Sequence, residues 1–156
     1  SRRAMLGATL AAPALAQADR ADWETLYHGY AVFYKVPMDD RILDTVWGWI
    51  HDGDNPFFGM IARDSTGRAL GLMHCRQMPS PLRGAQVGFL DDLFVQPEAR
   101  GKGVVEVLYA ALNQLGKEQG WPFIRWITAD NNYRGRAVYD KLSEKTHWVT
   151  YQKTVE

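Results

Sequence analysis

The sequence predicts an α/β domain built on a mixed sheet. Apolar residues recur every three or four positions in some segments and alternate in others, and these are the patterns of helices and strands respectively. The predicted order is two helices, a hairpin, a strand, a helix, a strand, a helix and a strand, which favours the α/β class. With 156 residues, 46% of them hydrophobic and 23% charged, the chain is long enough for one well-packed domain.

Two helices are predicted before the hairpin. Aromatic and apolar residues recur at helical spacing over residues 19–35, and Pro37 follows them. Either Asp39 or Asp40 can cap a second helix over residues 41–50.

The remaining elements are predicted from the spacing of apolar residues and from the turn-forming residues between them. Strand-like segments at 57–63 and 69–77 flank a turn that ends in Gly67, a residue that tolerates positive φ. The most apolar strand is predicted over 86–95. The later predicted elements are a helix over 103–119, a strand over 122–129, a helix over about 133–142 and a strand over 147–155.

Composition and charge exclude several classes of protein. Eighteen basic and 18 acidic residues give a net charge of zero, so there is no general case for binding nucleic acid or an acidic membrane. The single cysteine, Cys75, excludes an intrachain disulfide and cannot by itself form a zinc site. No apolar run reaches the roughly 18 residues of a transmembrane helix. We therefore expect no metal, no nucleic acid and no membrane partner.

A candidate anion-binding turn lies where the most apolar strand ends and the next helix begins. Gly101 and Gly103 let the backbone approach a ligand, and Arg100 and Lys102 add positive charge. The first amides of the helix lack partners within the helix, so a phosphate or pyrophosphate fits there. A glycine-rich turn that merely precedes a helix is the alternative. A Walker loop is excluded because the sequence contains no G-x-x-x-x-G-K-[ST]. The dinucleotide fingerprint G-x-G-x-x-G is excluded because Glu106 occupies its third glycine position.

Three linked motifs resemble the GNAT N-acetyltransferases. The letters VQPEARGKGVV, residues 95–105, resemble their acetyl-CoA pyrophosphate loop, and FLDDLFV, residues 89–95, resembles their fourth strand. Asn132 and Tyr139, seven positions apart, match a later motif. The resemblance covers roughly residues 57–152. It implies a GNAT (acyl-CoA N-acyltransferase) fold in one domain over 1–156, with a mixed, mostly antiparallel sheet that is splayed between strands four and five and flanked by helices.

The same resemblance implies acetyl-CoA as co-substrate. Contacts to the pantetheine arm are expected from Leu93, Phe94, Val95 and Asn132, and contacts to the pyrophosphate from Arg100, Gly101, Lys102, Gly103, Val104 and Val105. For Asn132 a plain helix cap is the alternative, and the two roles can coexist. Val105 departs from the family pattern, which has Gly or Ala there, a small residue that allows the start of the helix to pack closely near the cofactor.

Two residues are the candidates for catalysis. By resemblance, Tyr139 is the general acid that protonates the departing thiolate, whereas simple packing on the sheet is the alternative. Asp91 takes the place of a glutamate in the branch that acetylates polyamines and other small basic substrates, and it would accept the amine proton through a water. Adjacent residues of a strand face opposite sides of the sheet, so we expect Asp91 and Asp92 on opposite faces.

Asp92, Tyr30 and Trp47 are candidates for the acceptor site. Rings together with carboxylates suit a cationic amine, and the first two helices supply an excess of rings. For any single ring, ordinary core packing is the alternative. Asp92 can instead be a structural partner for an arginine or for backbone amides. His74 is a candidate base, for which a satisfied strand histidine is the alternative.

The expected activity is transfer of acetyl from acetyl-CoA to a primary amine on a polyamine-like molecule, an amino compound or a lysine, by direct attack in a ternary complex. The alternative is a non-catalytic acyl-CoA-binding or sensor domain of the same fold. A homodimer is compatible with the resemblance.

The first 18 residues admit two interpretations. A basic start, a short apolar stretch and an A-x-A site at 16–18 are typical of a signal peptide, and paired arginines suggest the twin-arginine type. Alternatively, residues 8–12 form a first strand, followed by a helix over 14–34. A complete GNAT fold needs that strand, and acetyl-CoA is a cytosolic metabolite. We therefore expect a cytoplasmic protein, with export as the alternative.

Overall fold

The computed structural model describes residues 6–8 and 15–156, which belong to two compact units. The first unit extends to Trp126, and the second comprises Ile127–Glu156. That the whole chain forms one domain stays a prediction. The first strand lies at Leu6–Ala8, and residues 9–12 of the expected strand at 8–12 fall outside the described residues. The interpretation of residues 1–18 as a leader falls largely outside them as well.

The described part of the first unit forms one sheet flanked by helices. Its elements are β1 (Leu6–Ala8), α1 (Arg20–Tyr34), α2 (Asp40–His51), β2 (Phe57–Asp64), β3 (Ala69–Ser80), β4 (Ala85–Val95), α3 (Val104–Gln119) and β5 (Ile124–Arg125). The strand order is β1-β2-β3-β4-β5, with antiparallel pairs up to β4 and a parallel β4–β5 pair. The predicted α/β class and the mixed, mostly antiparallel sheet are confirmed.

Helices α1 and α2 cover one face of the sheet. Trp23 and Leu26 of α1 pack with Leu43 and Ile50 of α2 against Phe94 of β4. Asp39 caps α2, because its side chain accepts a hydrogen bond from the Ile42 amide at 2.8 Å. α1 begins at Arg20, whereas the sequence alternative placed its start near residue 14; a short 3₁₀ turn at Gln17–Asp19 precedes it. Burial of the apolar side of each helix therefore holds α1 and α2 against this face of the sheet.

Helix α3 covers the opposite face. Val104, Leu108 and Leu112 pack against a cluster that includes Met73 and Leu90 of the sheet. These apolar positions recur at helical spacing, as predicted from the sequence. The helix ends at Gly120, whose φ of 73° is the left-handed conformation that commonly terminates a helix. The two faces of the sheet thus carry separate cores.

Two predicted strands differ from the structure. β5 is only Ile124–Arg125, whereas the sequence predicted a strand over 122–129. No strand is found at 147–155: residues 143–156 have no regular secondary structure, and Trp148 and Tyr151 are 77% and 91% exposed. Apolar alternation gives a segment the right side chains for a strand, but a strand also needs a hydrogen-bonded neighbour. The prediction over 147–155 is therefore wrong.

The second unit contains α4 (Tyr133–Leu142), as predicted. Its N-cap is Asn132, whose side-chain oxygen accepts a hydrogen bond from the Gly135 amide at 3.2 Å. None of the helices in the described part of the chain combines the length and the apolar character needed to cross a membrane.

Candidate functional site

A β-bulge in β4 organises the candidate site. His74 of β3 pairs with Asp92, but the next residue, Cys75, pairs with Leu90, so Asp91 is an extra residue that has no opposite residue in the register with β3. Because of the bulge, the residues of β4 before Asp91 and those after it alternate between the two faces of the sheet in opposite order. Leu90 therefore points into the core under α3, and Phe94 points into the core under α1 and α2. Four positions apart, Leu90 and Phe94 would share one face in a regular strand, and the inserted residue is what places them in opposite cores.

The bulge also places both carboxylates on one face of the sheet. Asp91 Oδ1 lies 2.9 Å from Arg76 Nη2, and Asp92 Oδ2 lies 2.8 Å from His74 Nδ1. Arg76 and His74 are two residues apart on β3 and so share a face. The expectation that Asp91 and Asp92 face opposite sides is wrong, because that alternation holds only in a strand without a bulge.

Asp91 has a polar atom that the rest of the described chain leaves unused. Its Oδ2 is buried and has no hydrogen-bond partner among residues 6–8 and 15–156. Burial raises the pKa of Asp91, and the negative charge of Asp92 adds to the rise, although the guanidinium of Arg76 opposes it. An unpartnered carboxylate oxygen is costly, which is why such atoms are rare outside functional sites.

Asp92 belongs to a fully hydrogen-bonded network. The Trp23 indole N–H donates to His74 Nε2 at 2.8 Å, and an indole nitrogen can only donate. His74 Nε2 therefore carries no proton, and the neutral ring donates its Nδ1–H to Asp92. The Tyr27 hydroxyl donates to the same carboxylate oxygen at 3.2 Å. His74 is fully buried and its two nitrogens are satisfied, so it is not available as a base.

Asp92 and the tyrosines of α1 shift one another's pKa. Burial alone would raise the pKa of Asp92, but hydrogen bonds from His74, Tyr30 and Tyr27 together lower it below its usual value. Burial and the nearby carboxylate raise the pKa of both tyrosines. The partners of Asp92 are therefore a histidine and tyrosines, whereas the sequence interpretation named an arginine or backbone amides for a structural role.

The rings of the first two helices divide between core and surface. Trp47 is only 6% exposed and packs on Trp23 and His51 at centroid distances of 5.0 and 4.4 Å. The prediction that Trp47 contacts an acceptor is therefore corrected, since its ring fills the core. Tyr30 is half-buried between Tyr27 and Tyr34, with centroid distances of 5.8 and 4.7 Å. Of the two predicted aromatic contacts, only Tyr30 presents a surface.

The pairing of β4 with β5 ends early. Gly88 pairs with Ile124 and Phe89 with Arg125, and no further pairs follow. From Leu90 to Val95, the edge of β4 that faces away from β3 has no strand partner among the described residues. This segment contains the predicted pantetheine contacts: Leu93 is half-buried, and Phe94 and Val95 are buried. An unpaired edge presents backbone N–H and C=O groups to an extended ligand.

The turn after β4 has the conformation that an anion site needs. Gly101 and Gly103 adopt left-handed φ angles of 75° and 86°. Gly103 is the N-cap of α3 and supplies no side-chain cap, so the first amides of the helix have no side-chain acceptor. Lys102 is exposed, and the Arg100 side chain hydrogen-bonds the Val95 carbonyl at 3.3 Å and lies over Phe33. Free amides and two cations together fit a pyrophosphate.

The two valines that begin α3 have different environments. Val104 is buried, and it faces Gly71, where an added Cβ would lie 2.8 Å from its Cγ1. Val105 is half-buried and packs on the edge of the same core. The valine that departs from the family pattern thus has a packing role of its own.

The later motif lies in the second unit. Asn132 caps α4 and also donates from Nδ2 to the Thr128 hydroxyl at 2.9 Å, so its predicted role as a helix cap is confirmed. A Cβ on Gly135 would lie 2.5 Å from that amide nitrogen, which explains the glycine there. Tyr139 is half-buried on the same helix.

The sequence interpretation missed Arg76, which belongs to a row of three residues across the sheet. Arg76 pairs across the sheet with Phe89, and Phe89 pairs with Arg125, so the three side chains share one face. The Arg76 guanidinium lies 4.9 Å from the Phe89 ring. The available signal was Arg76 itself, a charged residue two positions after His74 in an apolar strand.

Comparison with known proteins agrees with this geometry. The acetyltransferase (GNAT) family model matches residues 17–143. The chain is 28% identical over 150 residues to the D-amino-acid N-acetyltransferase HPA3 of Saccharomyces cerevisiae, with 96% of this chain and 93% of that protein covered.

Solved structures share the fold. The aminoglycoside antibiotic 6'-N-acetyltransferase of Acinetobacter baumannii superposes with a TM-score of 0.76 at 18% identity, covering 97% of this chain and 99% of that one. AAC(6')-Iy, solved with a CoA-based bisubstrate analogue, superposes with a TM-score of 0.80 at 21% identity, covering 96% and 98%. The match of the family model, over most of the chain, shows that this protein is an acyltransferase that belongs to the GNAT acetyltransferase family.

Proposed function

We propose that the protein transfers the acetyl group of acetyl-CoA to a primary amine by direct attack in a ternary complex. The observation that carries the proposal is the bulge in β4. It presents Asp91, with its unpartnered buried Oδ2, on the strand whose outer edge is open from Leu90 to Val95. The named acceptors of the relatives, a D-amino acid and an aminoglycoside, are amines, which is consistent with this proposal.

The residues around β4 fit acetyl-CoA. The open edge at Leu93, Phe94 and Val95 would hold the pantetheine arm through backbone hydrogen bonds. The amides at Gly101 and Gly103 and the start of α3 would hold the pyrophosphate, with charge from Arg100 and Lys102. Bound there, acetyl-CoA supplies an activated acetyl thioester.

Asp91 is proposed to anchor the acceptor amine and to take its proton. An alkyl ammonium has a pKa of about 10, so an amine must lose a proton before it can attack. A carboxylate with one free buried oxygen attracts the ammonium, and the raised pKa of Asp91 makes it a better proton acceptor than an ordinary aspartate. The short side chain favours transfer through a water. Asp92 and Tyr30 would form the adjacent wall.

Tyr139 is proposed as the general acid. It stands seven residues after Asn132, as in the family motif, and its phenol would protonate the thiolate that leaves. We further propose a cytoplasmic protein, because the acetyl donor is a cytosolic metabolite. Homodimerisation stays a prediction.

Release of the coenzyme A thiol from acetyl-CoA in the presence of a panel of amines tests the proposal. We expect Asp91→Asn and Tyr139→Phe to lower kcat by roughly 10²-fold, at the low end for general acid–base residues. Asp140→Asn and Tyr133→Phe, at exposed positions of α4, are the matched controls and should retain activity. If acetyl-CoA binds but no amine provokes thiol release, the protein is instead a non-catalytic acyl-CoA sensor.

A further inference from the structure

Three arginines, one of them in contact with Asp91, stack on the rings of Phe89 and Phe123. Arg76 pairs with Phe89 across the sheet, and Phe89 pairs with Arg125, so both arginines lie on the face that carries the bulged carboxylates. The guanidinium groups of Arg125 and Arg83 lie 4.9 and 4.7 Å from the Phe123 ring. Rings between arginines hold the guanidinium groups in fixed orientations without neutralising their charge.

The positive charge of this group is only partly compensated. Arg76 has one carboxylate partner, Asp91, and its side chain is still 51% exposed. Arg83 and Arg125 have no carboxylate within ion-pair distance in the part of the chain that the structure describes. The proposed amine anchor therefore stands at the edge of a cationic surface. A polyamine would bring its further ammonium groups against these arginines, which opposes binding.

We propose that Arg76 and Asp91 together bind the two charged groups of an α-amino acid, an inference that rests on the proposed function. The ammonium group binds the partly exposed carboxylate of Asp91, and the carboxylate of the amino acid binds the exposed nitrogens of Arg76, with Arg125 and Arg83 adding positive potential. In an α-amino acid the two groups are attached to one carbon, and the 2.9 Å pair of Arg76 and Asp91 presents opposite charges at a matching separation. Arginine suits this role because its planar fork can bind a carboxylate through two hydrogen bonds.

The test compares three acceptors that share one side chain: phenylalanine, phenylalaninamide and phenethylamine. With the wild-type protein we expect kcat/KM for one enantiomer of phenylalanine to exceed that for phenethylamine by about tenfold or more, the size of a charged hydrogen bond. Phenylalaninamide should resemble phenethylamine, since it lacks the negative charge. Equal kcat/KM for the three compounds would overturn the proposal.

The decisive readout is the ratio of the two kcat/KM values, because loss of Arg76 also removes a partner of Asp91. Arg76→Gln should reduce the ratio of phenylalanine to phenethylamine to about one, mainly through KM for phenylalanine. Arg76→Lys should restore part of it. Arg68→Gln, which breaks the exposed pair with Glu98, is the matched control and should leave the ratio unchanged. An equal loss for both acceptors in Arg76→Gln would mean that Arg76 acts only through Asp91, which refutes the carboxylate site.

Calorimetric titration separates this inference from the proposed function. Phenylalanine should bind more tightly than phenethylamine to the wild-type protein saturated with coenzyme A, and the difference should vanish in Arg76→Gln. If that difference is present but no thiol is released from acetyl-CoA with any amine, the carboxylate site stands and the proposed reaction fails. If thiol is released but spermidine is the better acceptor and the titration shows no preference for phenylalanine, the reaction stands and the carboxylate site fails.

Discussion

Replacement of His74 by leucine should destabilise the protein by an amount that can be worked out from its hydrogen bonds. The fully buried ring accepts from the Trp23 indole at 2.8 Å and donates to Asp92 at 2.8 Å. His74→Leu keeps the apolar packing but leaves the indole N–H without an acceptor, at a cost of about 1–3 kcal/mol. Loss of the bond to the Asp92 carboxylate adds roughly 1–2 kcal/mol, at the low end because water reaches that side chain, which is 17% exposed.

The sum predicts that the free energy of unfolding falls by about 2–5 kcal/mol. Denaturation in urea, monitored by tryptophan fluorescence, measures it. His28→Leu is the matched control, because His28 is exposed on α1 and the change should stay within about 0.5 kcal/mol. The double variant Trp23→Phe/His74→Leu should cost less than the sum of the single variants, since the indole donor is then absent. A fall below about 1 kcal/mol in His74→Leu would refute the reasoning.

Three further predictions concern other parts of the first unit. Because the pKa of Asp91 is raised in the folded state, the folded protein binds the carboxyl proton more tightly than the unfolded chain does. The free energy of unfolding therefore falls as the pH rises from the unfolded-state pKa of this group through its folded-state pKa. Asp91→Asn should therefore melt at a higher temperature than wild type at pH 7 while losing activity; a lower melting temperature would contradict the direction of the shift. Gly88→Ala should destabilise by roughly 1–3 kcal/mol in urea denaturation, because its Cβ would lie 2.4 Å from the Trp121 ring, whereas Gly48→Ala, with open space around it, should stabilise. Val105→Ala should bind acetyl-CoA more tightly in a titration, at a cost of about 1 kcal/mol in unfolding; unchanged affinity would show that the valine does not crowd the pyrophosphate.

The parts of the fold that local chemistry determines could be predicted from the sequence. The helix α3 and the turn before it follow from helical spacing of apolar residues and from two glycines, Gly101 and Gly103, that both adopt positive φ. The cap at Asp39 and the cap at Asn132 follow from side chains that accept hydrogen bonds from nearby amides. Each of these features involves residues only a few positions apart.

The parts that depend on pairing between distant segments could not be predicted. The bulge at Asp91 is visible only when β3 is laid beside β4, so the strand by itself indicated carboxylates on opposite faces. Burial of Trp47 depends on Trp23, and the arginine row depends on the register of three strands. The residues at 147–155 alternate like a strand, yet no strand of the described chain pairs with them.

The inserted residue in β4 has a consequence for how this site can change during evolution. Substitution of Asp91 alters one side chain, but deletion would rotate every residue on one side of it by half a turn relative to the other. Either Leu90 or Phe94 would then point to the opposite face of the sheet and leave the core in which it packs. Deletion would therefore disrupt a hydrophobic core as well as remove the carboxylate. The same position thus determines which residues of β4 face each side of the sheet and supplies the carboxylate of the candidate acceptor site. Related sequences that share this bulge should therefore show no gap at residue 91.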